Sequence, residues 1–133
     1  MGKDYETLKK NRKSFKRFVK SFGYSGEGIK YAFYHEQNII VMFFMAIIAI
    51  VLGLVFNITY MERLVILVLI GMILSLEMIN TAIEAAINLH DGNKKSKEGK
   101  IAKDCASAAV SIASIFAFII GLLIFMPHII ELF

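Results

Sequence analysis

The residues whose types and spacing could support chemistry lie in one stretch. Glu77-Met78-Ile79-Asn80-Thr81-Ala82-Ile83-Glu84 interrupts a run that is otherwise apolar. On a helix turning about 100° per residue, Glu77, Asn80, Thr81, Glu84 and Asn88 share one face about 100° wide. A charge at the centre of a bilayer costs about 2.5–3.5 kcal/mol on insertion scales, so two carboxylates on such a stripe need partners inside a bundle or at its mouth. Asn80, Thr81 and Asn88 also suit a plainer role, as interhelical hydrogen-bonding groups worth about 1 kcal/mol each. The glutamates fit that role poorly. Glu84 lies about 9 Å along the helix from His90, and Glu77 lies about two turns deeper. Glu36 directly precedes the first apolar run and Lys103-Asp104 directly precede the last, so topology alone brings these groups to one boundary. Three carboxylates, an amide and an ammonium there suit a hard cation and a polyphosphate, because Mg²⁺ favours one or two carboxylates together with substrate phosphate oxygens. A nucleotide site beside lipid is the chemistry this pattern implies.

The elements that position these residues follow from composition. The chain has 133 residues, of which 57% are hydrophobic and 20% charged. Its apolar content exceeds the roughly 45–50% of soluble domains, and its mean hydropathy is +0.64. One cysteine excludes a disulfide framework and a multi-cysteine metal site. The charges fall in blocks. Residues 1–30 carry Lys3, Lys9, Lys10, Arg12, Lys13, Lys16, Arg17, Lys20 and Lys30 against Asp4, Glu6 and Glu27. Three apolar runs follow, and each is long enough to cross a hydrocarbon core of about 30 Å as a helix. The spans are expected at 39–56, 64–89 and 104–126, with a polar turn at 57–63 and a solvated, lysine-rich loop over 90–103. The expected fold is therefore all-α and membrane-integral, a single domain over 1–133 with a cytoplasmic arm and surface helix at 1–36.

Basic residues collect in the arm and the 90–103 loop, so the positive-inside rule places both in the cytoplasm and the C-terminus outside. The net charge of +4 thus reads as topology and not as a nucleic-acid surface. No small-residue cleavage site follows a short apolar segment near the start, so the first span is expected to be retained. Within the arm, Phe15, Phe18, Val19 and Phe22 recur at i, i+3, i+4, i+7 while Lys13, Lys16, Arg17 and Lys20 point elsewhere, the pattern of an amphipathic helix on an anionic membrane surface. Gly23-Tyr24-Ser25-Gly26-Glu27-Gly28 lacks the spacing of a phosphate loop and is expected to break that helix as a hinge.

Two segments together resemble a known family. Glu77 to Glu84, followed after a loop by Ala102-Lys103-Asp104-Cys105-Ala106-Ser107-Ala108-Ala109-Val110, is similar to the paired signatures of the small prokaryotic integral-membrane diacylglycerol kinase family, including its Gram-positive undecaprenol kinase branch. The likeness extends from about Arg17 to Pro127 and takes in Gly23-Tyr24-Ser25 and Glu36. It implies a homotrimer with composite sites at the membrane surface, in which ATP phosphorylates a lipid alcohol. Glu77 would be the base for the lipid hydroxyl, supported by Asn80, and Ser107 would lie near the lipid. Glu36 and Glu84 would hold the Mg²⁺ that accompanies ATP, and Arg17, Tyr24, Lys103 and Asp104 would contact nucleotide. Asn88, where relatives often carry Asp, and the 90–102 loop depart from the pattern. The long lysine-rich arm and the Gly121 to Pro127 ending of the third span lean toward undecaprenol, giving undecaprenyl phosphate, with diacylglycerol and phosphatidic acid as the alternative. The implied location is the bacterial cell membrane.

Two other classes compete. A small oligomeric transporter can also carry intramembrane glutamates, but it has no use for a Lys-Asp pair at one face. A purely structural protein leaves the glutamates unexplained. Ala106, Ala109, Ala113, Ala117 and Gly121 read as packing residues. His35, His90 and His128 lack ligand spacing, and Cys105 reads as a small packing residue. Three short spans cannot enclose a carboxylate stripe on all sides, which is the physical reason to expect an oligomer.

Overall fold

A computed structural model describes residues 2–92 and 94–132, with side chains described over 14–92 and 94–132. The side chains of Lys3, Lys9, Lys10, Arg12 and Lys13 in the basic arm therefore lie outside the described residues, as does Asn93. The described chain is all-helical, in the order α1 (Gly2–His35), α2 (Gln37–Val55), α3 (Tyr60–Asp91) and α4 (Lys97–Ile130). It divides into two compact units, Met1–His35 and Glu36–Phe133.

In the first unit, α1 runs through Gly23, Gly26 and Gly28 without a break, so the expected hinge is corrected to continuous helix. A glycine inside a helix costs about 1 kcal/mol relative to alanine, a penalty and not a prohibition. Local contacts cover the stretch: Ser25 Oγ donates to the Ser21 carbonyl at 3.0 Å, and Ser21 Oγ donates to that of Arg17 at 3.1 Å. Phe15, Phe18, Val19 and Phe22 are all exposed, and Phe18 and Phe22 meet edge to face with centroids 5.2 Å apart.

In the second unit, α3 packs against both α2 and α4. The three helices have 19, 32 and 34 residues, and each is long and apolar enough to cross a membrane. Only 17%, 17% and 6% of their apolar windows are buried. A soluble bundle of this size would bury those faces, so the lateral surface is built to meet an apolar environment.

Both turns are fixed by caps. After α2, Asn57 adopts φ 49°, and Thr59 opens α3 with a capping box: its Oγ1 accepts from the Glu62 amide, and its own amide donates to Glu62 Oε2 at 2.7 Å. Ile58 tucks beneath and forms a small core with Ile66 and Ile124, lying so close to Gly53 that a Cβ there would meet Ile58 Cδ1 at 3.0 Å. His128 of α4 lies 3.3 Å from Glu62 Oε2, which joins the far ends of α3 and α4.

At the opposite end, the expected 90–103 loop shrinks to 92–96. Ser96 caps α4 by accepting from the Gly99 amide at 3.0 Å, and Asp91 accepts from the Ser96 amide at 3.0 Å and from its hydroxyl at 2.8 Å. Lysine and glutamate are good helix formers, so with a cap present the charged residues 97–103 become the first turns of α4. The helix also carries Pro127 inside it and ends at Ile130.

Candidate active site

The antiparallel course of α2, α3 and α4 places the start of α2, the last third of α3 and the first turns of α4 at one end of the second unit. Glu36 is the N-cap of α2 in extended conformation, yet its side chain makes no capping hydrogen bond. Its carboxylate is left for other work. Glu77 is 1% exposed and is among the largest fully buried side chains described. The Asn38 side chain is its hydrogen-bonding neighbour, and the charges of Glu36 and Glu84 both act on it. Glu77 Oε1 and Thr81 Oγ1, one turn apart on the same face, are buried atoms with no hydrogen-bond partner among the described residues. Such atoms are costly in a finished interior, at about 1–3 kcal/mol each, and buried polar groups left unpaired are rare enough to single the position out.

Toward the end of the helix the stripe opens. Glu84 is 44% exposed, and its Oε1 lies 4.0 Å from the Lys103 ammonium. That ammonium donates to the side-chain oxygen of Asn88 at 2.5 Å. Glu36 and Glu84 thus both lie within electrostatic reach of Glu77, and Lys103 lies beside Glu84. Asn80 is half-buried on the same helix. Asp104 is exposed and turns along its own helix to Lys100, whose ammonium lies 3.2 Å away. Ser107 is exposed, and its carbonyl accepts from Ser111. Arg17 and Tyr24 belong to α1; both are exposed, with the Lys20 ammonium 5.8 Å from the centre of the Tyr24 ring.

Asn38 escaped the sequence reading. Its signal was a polar pair, Gln37-Asn38, opening an otherwise apolar helix two residues after Glu36. The Asp91-Ser96 clasp escaped as well, because the residues between them read as loop.

The donor set fits magnesium. Every candidate ligand is a hard carboxylate oxygen, and among the described residues no three His, Cys, Asp or Glu side chains are gathered closely enough to form a cage of their own. A cation that takes one or two carboxylates and completes its shell with phosphate oxygens and water suits such a site.

Comparison with known proteins gives the family. Residues 23–125 match the profile of the family described as prokaryotic diacylglycerol kinase. The chain is 37% identical over 119 residues to the undecaprenol kinase of Bacillus subtilis, covering 90% of this chain and 96% of that one. It is 31% identical over 112 residues to a diacylglycerol kinase of Synechocystis, covering 84% of this chain and 64% of that one. It is 28% identical over 118 residues to a diacylglycerol kinase of Escherichia coli, covering 89% and 96%.

Proposed function

The chain belongs to the prokaryotic diacylglycerol kinase family, and from that premise we propose that it is a multi-pass membrane lipid kinase that transfers the γ-phosphate of ATP to the hydroxyl of undecaprenol. The observation that carries the reading is the convergence of Glu36, Glu77 and Glu84, with Lys103 beside them, at one end of three apolar helices. The likeness to the Bacillus subtilis undecaprenol kinase over nearly its full length supports the choice of alcohol. The Synechocystis and Escherichia coli diacylglycerol kinases support diacylglycerol as the second reading.

Glu77 takes the proton of the lipid hydroxyl as that oxygen bonds to the γ-phosphorus and the bond from phosphorus to the ADP oxygen breaks, leaving lipid phosphate and ADP. A positioned carboxylate contributes about 10²–10⁴-fold in such a step. Its burial keeps bulk water away from it, which favours the lipid hydroxyl over hydrolysis. Asn80, one turn along, supports the site, and Ser107 faces the lipid. Glu36 and Glu84 would hold magnesium, which when bound would supply positive charge against the triphosphate. Lys103 meets a phosphate oxygen with its ammonium, and Asp104, Arg17 and Tyr24 complete the contacts to the nucleotide. The arm and the 92–96 loop face the cytoplasm, where ATP is found, with the C-terminus outside a bacterial cell membrane. A homotrimer covers the lateral faces that one chain leaves bare, and the Phe15-Phe18-Val19-Phe22 stripe of α1 rests on the membrane surface.

The test is transfer of labelled γ-phosphate from ATP to undecaprenol and to dioleoylglycerol, run side by side in mixed micelles with magnesium. Undecaprenol is expected to be the better substrate by kcat/KM. A large preference for dioleoylglycerol would overturn the choice of lipid, and labelling of neither would overturn the activity.

A further inference from the structure

Asn88 and Lys103 form an unusual pair for the mouth of a phosphate site. They stand on different helices, fifteen residues apart, and the hydrogen bond between them is the second rung of a ladder. The first rung is the clasp of Asp91 on Ser96, where the helix ends approach so closely that a Cβ on Gly99 would lie 2.5 Å from Asp91 Oδ2. Lys103 follows Gly99 by one turn of α4, and Asn88 precedes Asp91 by about one turn of α3, so the clasp sets the register that brings them together. The third rung is Glu84, which at 4.0 Å from the ammonium stands at the limit of an ion pair. Among the described residues it is the one acidic group that close to Lys103.

We propose that Asn88 is a positioning residue for Lys103: its neutral side-chain oxygen holds the ammonium at the mouth of the site and off Glu84, so that neither charge is spent on the other. The inference rests on the kinase reading, in which Lys103 meets a phosphate and Glu84 a cation. An ammonium has three N–H donors, and one is engaged by an acceptor that brings no charge. A carboxylate at position 88 would accept from the same ammonium, so what the position requires is an acceptor oxygen. With no acceptor at 88, the ammonium has Glu84 as its remaining partner, and closing that gap withdraws both groups from the nucleotide.

The experiment measures affinity for a non-hydrolysable ATP analogue with magnesium by calorimetry, using the full chain in micelles, alongside steady-state kinetics with lipid. Asn88→Ala is expected to weaken the analogue by about tenfold, the scale of one hydrogen bond to a charged group. The effect should fall on KM for ATP much more than on kcat. Asn88→Asp, which keeps an acceptor oxygen in nearly the same place, should hold most of the affinity. In a Lys103→Met background Asn88→Ala should cost nothing further, an outcome that a merely structural role for Asn88 would not give. Unchanged affinity in Asn88→Ala, or an equal loss in both backgrounds, overturns the proposal. The kinase reading fails separately: a wild-type chain that binds the analogue but phosphorylates neither lipid refutes that reading, while the affinity series still decides the role of Asn88. A wild-type chain that binds no analogue refutes both.

Discussion

Replacing Glu77 by Gln should make the protein more stable and nearly inactive at once. The side chain is 1% exposed, one of its oxygens has no partner among the described residues, and two further carboxylates act on it. An unsatisfied buried acceptor costs about 1–3 kcal/mol. Two like charges at an effective dielectric near 20 repel by about 1–3 kcal/mol over separations of roughly 6–12 Å. Glutamine keeps the shape, removes the charge and with it the repulsion from Glu36 and Glu84. Part of the gain is offset by the amide, itself a polar group to be satisfied, so a net stabilisation of about 1–2 kcal/mol is expected, or roughly 3–10 °C in melting temperature for a domain of this size. The same substitution removes the proton acceptor, and kcat should fall by about 10²–10⁴-fold. Thermal unfolding in micelles at pH 8, paired with lipid phosphorylation, reads both effects. A variant that melts at or below wild type refutes the premise that Glu77 is a stranded carboxylate. A kcat within about threefold of wild type refutes its role as base.

Two more outcomes test the surrounding frame. Glu84→Gln should abolish magnesium-dependent phosphorylation while the protein elutes from a sizing column as wild type does; activity that survives removes Glu84 from the metal site. Gly99→Ala would place a Cβ 2.5 Å from Asp91 Oδ2, 2.6 Å from Ser96 Oγ and 2.8 Å from Ile87 Cγ2, and should destabilise by about 1–3 kcal/mol on thermal unfolding, more than the roughly 1 kcal/mol for losing the cap in Ser96→Ala. The reverse order would show that the clasp is not tight.

The three apolar helices were legible because hydropathy over about 20 residues is a long-range average that no single residue can upset. Their ends were not, because an end is decided by one cap. A hydropathy average passes over the capping-box spacing of Thr59 and Glu62, a signature present in the sequence. Ser96 likewise turns 97–103 from loop to helix. The glycines of α1 lower helix propensity by about 1 kcal/mol each, a penalty that a long helix absorbs. The carboxylate stripe was legible since a 3.6-residue period needs only one helix to express it. Asn38 was not, because its approach to Glu77 depends on the register of α2 against α3, which no single-helix pattern encodes. The same holds for the pairing of Asp104 with Lys100, one turn back on its own helix, which adjacency to Lys103 in sequence does not reveal because successive helical residues point about 100° apart.

The two glutamates of α3 have the same chemistry and different surroundings, and the difference follows from their spacing. Seven residues is nearly two full turns, so Glu77 and Glu84 share a face while lying about 10 Å apart along the axis. That distance carries the stripe from a dry interior, where Glu77 is covered, to a wet mouth, where Glu84 and Lys103 are part-exposed. On the proposed reaction the two substrates divide along the same line. A lipid alcohol has to be met where the membrane is dry, and a triphosphate with its cation has to be met where water can supply and remove it. One helix that crosses the boundary, with acidic residues two turns apart, sets both groups in place without a separate nucleotide-binding domain, and this is why so small a chain can carry such chemistry.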